Sequence, residues 1–322
     1  MRGRIICITP VKHLEGVYKR LEQYENFFYE PNITKNELSK RLSDWKDIEY
    51  LFTNPNKQNF VLDEEVLGHS DIKVINTCST GLNHIDMDYC ERNNIEVWSL
   101  KEDFDLINDL PSTAELSFGL MLSLLRKIPE GFTSVKKGEW NYEPFIGRQI
   151  KGLTIGIIGY GRLGKILVKL LSGWGVKILV NDPYVQVDNE HCIRTTMNEI
   201  WRQSDVIFLH LHVTNTTKGM VNDKFLSKMK KGSVLINTSR GELVDEESII
   251  TSIKEGHLGG YGTDVIVDEF GDVKESRLVK FSKENNNVII TPHVGGMTWE
   301  GQTKAYRWAV DKFGEINEWL QR

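Results

Sequence analysis

The sequence predicts an α/β protein with two parallel sheets, the larger in the second half of the chain. Three observations carry this. Short β-rich runs alternate with amphipathic stretches throughout, the pattern of βαβ units. The chain has 322 residues, enough for two domains at roughly 100–200 residues each. A glycine-rich loop, Gly159-Tyr160-Gly161-Arg162-Leu163-Gly164, joins a strand-like run to an amphipathic helix pattern.

Composition removes several alternatives. Hydrophobic residues make up 40% and charged residues 26%, which excludes a disordered or fibrous chain. Forty Lys and Arg against 45 Asp and Glu leave a net charge of −5, unsuited to a nucleic-acid coat or an anionic membrane surface. Cys7, Cys78, Cys90 and Cys192 contain no C-x-x-C pair. Neither a zinc knuckle nor a disulfide framework is expected, and a reducing, cytoplasmic setting is. The longest apolar block, Leu116–Leu125, is about half a membrane span and is bounded by Glu115 and Arg126, so no membrane partner is expected.

In the first third, strands are expected at Arg4–Ile8, Ile48–Thr53, Ile72–Cys78 and Ile95–Trp98. Helices are expected around Leu14–Tyr24, Lys35–Asp44 and His84–Asn93. Ser112 and Glu115 have capping-box spacing at the start of a long apolar helix that Pro129 should end. Thr133–Gln149, polar and aromatic, reads as a loop or arm. Six strands follow near Thr154–Ile158, Val176–Asn181, Asp205–Leu211, Ser233–Thr238, Gly262–Val265 and Val288–Thr291, the number in a complete dinucleotide-binding sheet. A last helix is expected over Trp299–Leu320. Lys228, Lys230 and Lys231 read as a solvated helix end, and Trp299, Tyr306, Trp308 and Trp319 mostly as domain packing.

Each part of the glycine loop has a physical task. Gly159 permits the tight turn, Gly161 lets the backbone approach a pyrophosphate, and Gly164 lets helix and strand pack closely. The helix start offers N–H groups and a partial positive charge to an anion. Tyr160, Arg162 and Leu163 belong to the same loop. Asp182 lies 182 − 164 = 18 residues beyond the last glycine, at the end of the second strand and followed by Pro183. A carboxylate there accepts ribose hydroxyls and repels a 2′-phosphate, so the cofactor expected is NAD.

Ligands of open parallel sheets sit beyond the carboxyl ends of the strands. There the sequence places His210, His212 and Val213, then Thr238, Ser239 and Arg240, then Asp264 and Glu269, then His293, Gly295 and Gly296. One Arg, one Glu and one His suit hydride transfer at a carbinol carbon. His exchanges the hydroxyl proton near neutral pH. A carboxylate beside it stabilises the imidazolium, and Arg clamps a substrate carboxylate. Arg240, Glu269 and His293 fill these roles. His210 and His212 share a strand face, but no third ligand accompanies them, so no metal is expected.

These stretches, with Leu209–Val213, Ile236–Gly241, Asp264–Glu269 and Thr291–Gly296, resemble the D-isomer-specific 2-hydroxyacid dehydrogenases over nearly the whole chain. The resemblance implies a Rossmann domain at 106–295 and a smaller, flavodoxin-like substrate domain split between 1–105 and 296–322. It assigns the carboxylate clamp to Arg240, the acid/base role to His293 and its support to Glu269. The cofactor contacts it implies are Gly159 to Gly164, Asp182, Pro183, His212, Val213, Thr238, Ser239, Arg240, Asp264, His293, Gly295 and Gly296. Ser79-Thr80-Gly81 would offer backbone N–H groups to the substrate. A homodimer through the NAD-binding domain is implied, with the arm reaching the partner. Two departures stand out: Thr214 and Phe270 occupy positions where the family often has Pro.

Asn54-Pro55-Asn56-Lys57-Gln58 follows the second strand, and Lys57 there suits a phosphate or second carboxylate. Phosphoglycerate dehydrogenases of the family use basic residues there, so the resemblance makes 3-phosphoglycerate the leading substrate, with glyoxylate, hydroxypyruvate and other D-2-hydroxy acids as alternatives. Glu269 argues against a formate dehydrogenase, whose reaction releases no hydroxyl proton. A protein of another class, an NAD(H)-sensing corepressor, would share the fold without useful turnover.

Overall fold

The computed structural model describes residues 4–319, Glu25 and Asn56 excepted. Asn56, within the expected Lys57 segment, and Leu320, the expected end of the last helix, lie outside the described residues, as does the side chain of Trp319. The chain divides into two compact units: Met1–Leu110 with Met297–Arg322, and Pro111–Gly296.

The first unit holds β1 (Arg4–Cys7), β2 (Phe27–Tyr29), β3 (Ile48–Thr53), β4 (Val74–Thr77) and β5 (Glu96–Ser99). Their order is β2-β1-β3-β4-β5, all parallel, the flavodoxin-like order. Alternate residues face opposite sides. Ile6, Leu51 and Ile75 pack with Leu38 and Leu42 of helix Lys35–Asp44, whereas Ile5, Tyr50 and Phe52 pack with Tyr306, Ala309 and Phe313 of helix Trp299–Trp319. The last helix thus returns to the first unit. Strand β2 was not expected; three half-buried residues at a sheet edge are too short to show alternation.

The second unit holds β6 (Thr154–Ile158), β7 (Lys177–Asn181), β8 (Ile193–Arg194), β9 (Val206–Leu209), β10 (Val234–Asn237), β11 (Gly260–Thr263) and β12 (Val288–Ile290). The order β12-β11-β10-β9-β6-β7-β8, parallel throughout, is the doubly wound arrangement with its reversal between β6 and β9. The six expected strands are present, and the two-residue β8 adds an exposed edge. One face buries Ile155, Ile157, Val206 and Phe208 beneath helices Ser112–Leu125 and Arg162–Leu171; the other buries Ile158, Ile207, Leu209 and Leu235.

Local differences from the sequence reading have physical causes. Helix Ser112–Leu125 begins after Pro111 without a side-chain cap, and Ser112 is buried inside its first turn, so no Ser112–Glu115 capping box forms. Pro129 does not end that helix. Lys127 does, at φ +52°, and Pro129 sits in the first turn of a new helix, Ile128–Lys136, where its missing N–H costs nothing. The first four residues of the expected loop, Thr133–Lys136, are therefore helical. Lys230 is not simply solvated: its ammonium lies 2.8 Å from the buried carboxylate of Asp205, which also accepts from Arg148 at 3.0 Å and the Thr154 N–H at 2.9 Å. His84 precedes helix Met87–Arg92 as a buried turn residue whose Nε2 lies 3.0 Å from the Thr77 hydroxyl. Trp299 is 67% exposed, unlike buried Tyr306.

Candidate active site

The loop after β6 turns at Gly159, φ +97°, where a Cβ would lie 2.1 Å from the carbonyl oxygen of His210. A Cβ on Gly164 would meet the Gly159 oxygen at 2.3 Å. Only glycine fits either position. Gly161 differs: a Cβ there would find nothing within 4 Å. Its exposed face fronts the start of helix Arg162–Leu171, which no side chain caps. Open backbone at an uncapped helix start fits a dinucleotide pyrophosphate.

Asp182 closes the β6–β7 end of this surface. Its Oδ2 accepts from the Tyr160 N–H at 2.7 Å, and its Oδ1 accepts from Tyr184 and Val185 N–H at 2.8 and 2.9 Å. Burial opposes ionisation, but these donors and the charge of Arg194 hold the carboxyl below its ordinary range. Three of about four acceptor positions are thus used, leaving one for a ribose hydroxyl. Tyr160 contributes only backbone here; its ring is buried beside Cys192. Leu163 faces the core, whereas Pro183 is exposed.

The third strand end reverses an expectation about its two histidines. His212 and Val213 are exposed. His210 lies one step past Leu209 on the buried face, its ring stacked on Phe208 with centroids 6.2 Å apart. Both its ring nitrogens are shielded and have no hydrogen-bond partner among the described residues, and burial, then the Arg162 charge, push the imidazole down to about 4, so it is neutral. Period-two alternation would put His212 on the same face as His210, but β9 stops at Leu209, and the irregular chain beyond it leaves His212 exposed. Just past the neighbouring strand the Thr238 hydroxyl is likewise buried, with no partner among the described residues. Ser239 straps the two strand ends, donating its hydroxyl to the Leu209 carbonyl at 2.8 Å and accepting from the Leu211 N–H at 3.2 Å.

Arg240 follows. Its Nη1 donates to the Ser239 carbonyl at 2.6 Å, and among the described residues it makes no ion pair with a carboxylate. His293 Nδ1 lies 2.8 Å from Glu269 Oε2. The pair is only partly covered, with the His293 side chain 42% and the Glu269 side chain 18% exposed. Burial acts to lower the His293 pKa. The hydrogen bond and charge of Glu269, with the charge of Asp264, outweigh burial and the opposing charge of Arg240, and the imidazole is raised above its ordinary range.

His293 sits at φ +52°, unfavourable for a side-chain-bearing residue. The cause lies beneath it. The buried Asp264 carboxylate accepts from the Thr291 hydroxyl, the Val294 N–H at 2.9 Å and the Gly295 N–H at 2.7 Å, while its backbone carbonyl accepts from the His293 N–H at 3.0 Å. A Cβ on Gly295 would approach Asp264 Oδ2 to 3.0 Å; Gly296 is open. Burial raises the Asp264 pKa against these donors. Sequence reasoning gave Asp264 a cofactor role and missed this anchoring.

In the first unit, Ser79, Thr80 and Gly81 are partly buried, and the Gly81 N–H is already donated to Ser79 Oγ at 3.1 Å. Exposed Lys57 donates to Asn32 Oδ1 at 2.9 Å. No metal-binding group of His, Cys, Asp and Glu exists among the described residues.

Against known proteins, residues 118–295 match the model of the D-isomer specific 2-hydroxyacid dehydrogenase NAD binding domain. The chain belongs to the D-isomer-specific 2-hydroxyacid dehydrogenase family, and its second unit carries the family's NAD-binding domain. It is similar to a D-3-phosphoglycerate dehydrogenase of Synechocystis, 32% identical over 263 residues, covering 81% of this chain and 45% of the relative. It is also similar to a glyoxylate reductase of Thermococcus litoralis, 33% identical over 252 residues, covering 75% and 73%. The crystal structure of an Aquifex aeolicus D-lactate dehydrogenase, complexed with NAD and lactic acid, is 27% identical with a TM-score of 0.77, covering 98% of this chain and 96% of that one. The chain spans about half the length of the phosphoglycerate dehydrogenases it matches.

Proposed function

We propose that this protein is an NAD-dependent oxidoreductase interconverting a D-2-hydroxy acid and its 2-oxo acid. The observation that carries the reading is the His293 Nδ1–Glu269 Oε2 pair at 2.8 Å, at the carboxyl ends of the strands, where Arg240 follows β10. Gly159 to Gly164 and Asp182 would hold the dinucleotide, with Thr238, His212 and the Gly295-Gly296 turn nearer its reactive end. NAD, when bound, supplies the acceptor or donor of the hydride at C2.

The chain's own groups do the rest. The Glu269 carboxylate oxygen is the acceptor of this pair, so Nδ1 of His293 carries the proton between them and Nε2 exchanges the other. In oxidation Nε2 takes the hydroxyl proton as the C2 hydrogen leaves with its electron pair and the carbonyl forms. In reduction Nε2 returns that proton. The raised pKa of His293 keeps the donor form to higher pH, which suits reduction at neutral pH. Arg240, unpaired with any described carboxylate, clamps the substrate carboxylate bidentately. Ionised Asp182 disfavours a 2′-phosphate, so the cofactor is NAD rather than NADP.

The substrate we favour is 3-phosphoglycerate, with Lys57 receiving the phosphate. Glyoxylate and hydroxypyruvate are the alternatives, supported by relatives named for them. A homodimer through the second unit is supported by Ile128, Phe132 and Val135, exposed at helical spacing, with Trp140, Tyr142 and Ile146 beyond them. Four unpaired, buried cysteines suit a reducing cytoplasm. No described helix is long and apolar enough to cross a membrane.

The test follows NADH absorbance with 3-phosphohydroxypyruvate, hydroxypyruvate, glyoxylate, pyruvate, 2-oxoglutarate and a branched 2-oxo acid. Turnover on one of them, reduced about 10²–10⁴-fold in His293→Ala, is expected. NADH binding without turnover on any would overturn the reading in favour of a sensor. An unchanged KM for the phosphorylated acid in Lys57→Ala would remove the phosphate role.

A further inference from the structure

Glu246 lies outside the triad, in the first turn of helix Glu246–Lys254. Its Oε1 accepts a hydrogen bond from the backbone N–H of Val267 at 2.9 Å, 21 positions along the chain. Val267 stands two residues before Glu269, at the root of an exposed turn that runs on to Gly271. The same root is pressed from below. A Cβ on Gly241, the residue after Arg240, would lie 2.1 Å from the carbonyl carbon and oxygen of Ile266 and 2.5 Å from the Val267 nitrogen. Contact at Gly241 sets the height of the root, and the directional bond from Glu246 fixes its rotation.

We infer that Glu246 is a positioning residue, holding the Val267 root so that Glu269 Oε2 stays on His293 Nδ1. The inference rests on the oxidoreductase reading for its consequence, because the pair it steadies is the one assigned to proton exchange. Glu246 is faced by Asp245 and Glu247 on its own helix and by Tyr261 from β11. Glu247 is paired with Arg277 of helix Arg277–Ser282 at 2.8 Å. Around His293 stand Glu269, Asp264 and Arg240. Burial holds the Glu246 carboxyl above its ordinary range despite the Val267 bond. A half-buried acid kept against that cost points to a use for its acceptor oxygen.

The experiment titrates the His293 imidazole by NMR in cofactor-free protein, with His293→Ala used to assign its resonance. Glu246→Gln keeps an acceptor for the Val267 N–H, whereas Glu246→Ala removes it. The expected result is a His293 pKa lowered by about one unit in Glu246→Ala and held near wild type in Glu246→Gln. The pH limb of 2-oxo acid reduction should move with it. An unshifted Glu246→Ala, or a Glu246→Gln as low as Glu246→Ala, would overturn the role. Should Glu246→Ala fail to fold, Glu246→Asp, one methylene short of Val267, gives the same two outcomes. Because the titration needs neither cofactor nor substrate, it stands even if no 2-oxo acid is reduced.

Discussion

The two loops that meet in the His293–Glu269 pair are held in opposite ways. The loop carrying His293 closes over a buried carboxylate: Asp264 takes three side-chain-directed hydrogen bonds from Thr291, Val294 and Gly295, and His293 is left with a left-handed backbone. The loop carrying Glu269 is a partly exposed turn held at its root by one hydrogen bond to half-buried Glu246. The proposed acid/base group thus has the more tightly bonded mount, while the carboxylate paired with it sits on the softer side. A misplaced imidazole would cost proton transfer directly, whereas a displaced Glu269 changes the pKa first.

This contrast can be broken most forcefully at Asp264. Asp264→Ala orphans three donors, the buried Gly295 N–H and the part-buried Thr291 hydroxyl and Val294 N–H, at about 1–3 kcal/mol each, and a loss of more than 3 kcal/mol in chemical denaturation, with activity lost, is expected. A loss under ~1 kcal/mol would mean that the anchor is not Asp264. A smaller effect should separate the two loops by their glycines. Gly295→Ala pushes a methyl against Asp264 and Thr113, neighbours fixed in a packed site, and should cost about 1–3 kcal/mol. Gly271→Ala meets only the side chain of Asp268, which can swing into solvent, and should stay within about 0.5 kcal/mol. Equal thermal shifts for the two variants would remove the distinction.

The sequence told more about the rigid parts than about the mounts. Gly159 and Gly164 were readable because one residue type alone tolerates their backbone contacts, and the distance from the loop to Asp182 is set by one strand and one helix. The order of Arg240, Glu269 and His293 along the chain was readable because each follows a strand-like run, apolar before Arg240 and His293 and glycine-rich before Glu269. What escaped has a common cause. Asp264 bonds to residues 27 to 31 positions away and Glu246 to one 21 away, so neither leaves a local pattern. His210 and His212 look alike in sequence; the end of β9 at Leu209 separates them, because His210 packs on Phe208 while His212 lies in the exposed chain beyond. Lys127, not Pro129, ends its helix because a positive φ carries no side-chain signature, and Lys230 looked solvated until the fold brought it to Asp205.

The central claim is that Glu269 raises the pKa of the proton-exchanging His293 from a loop that contributes little to stability. The direct measurement is the pH dependence of kcat/KM for reduction of the best 2-oxo acid, in wild type and Glu269→Gln, beside their denaturation midpoints. Reduction needs the protonated imidazole, so the rate should fall as pH rises through the His293 pKa. In Glu269→Gln that fall should come at lower pH by about one unit or more, with stability changed by less than ~1 kcal/mol. A limb at the same pH in both proteins would contradict the account, because Glu269 would then sit beside His293 without tuning it.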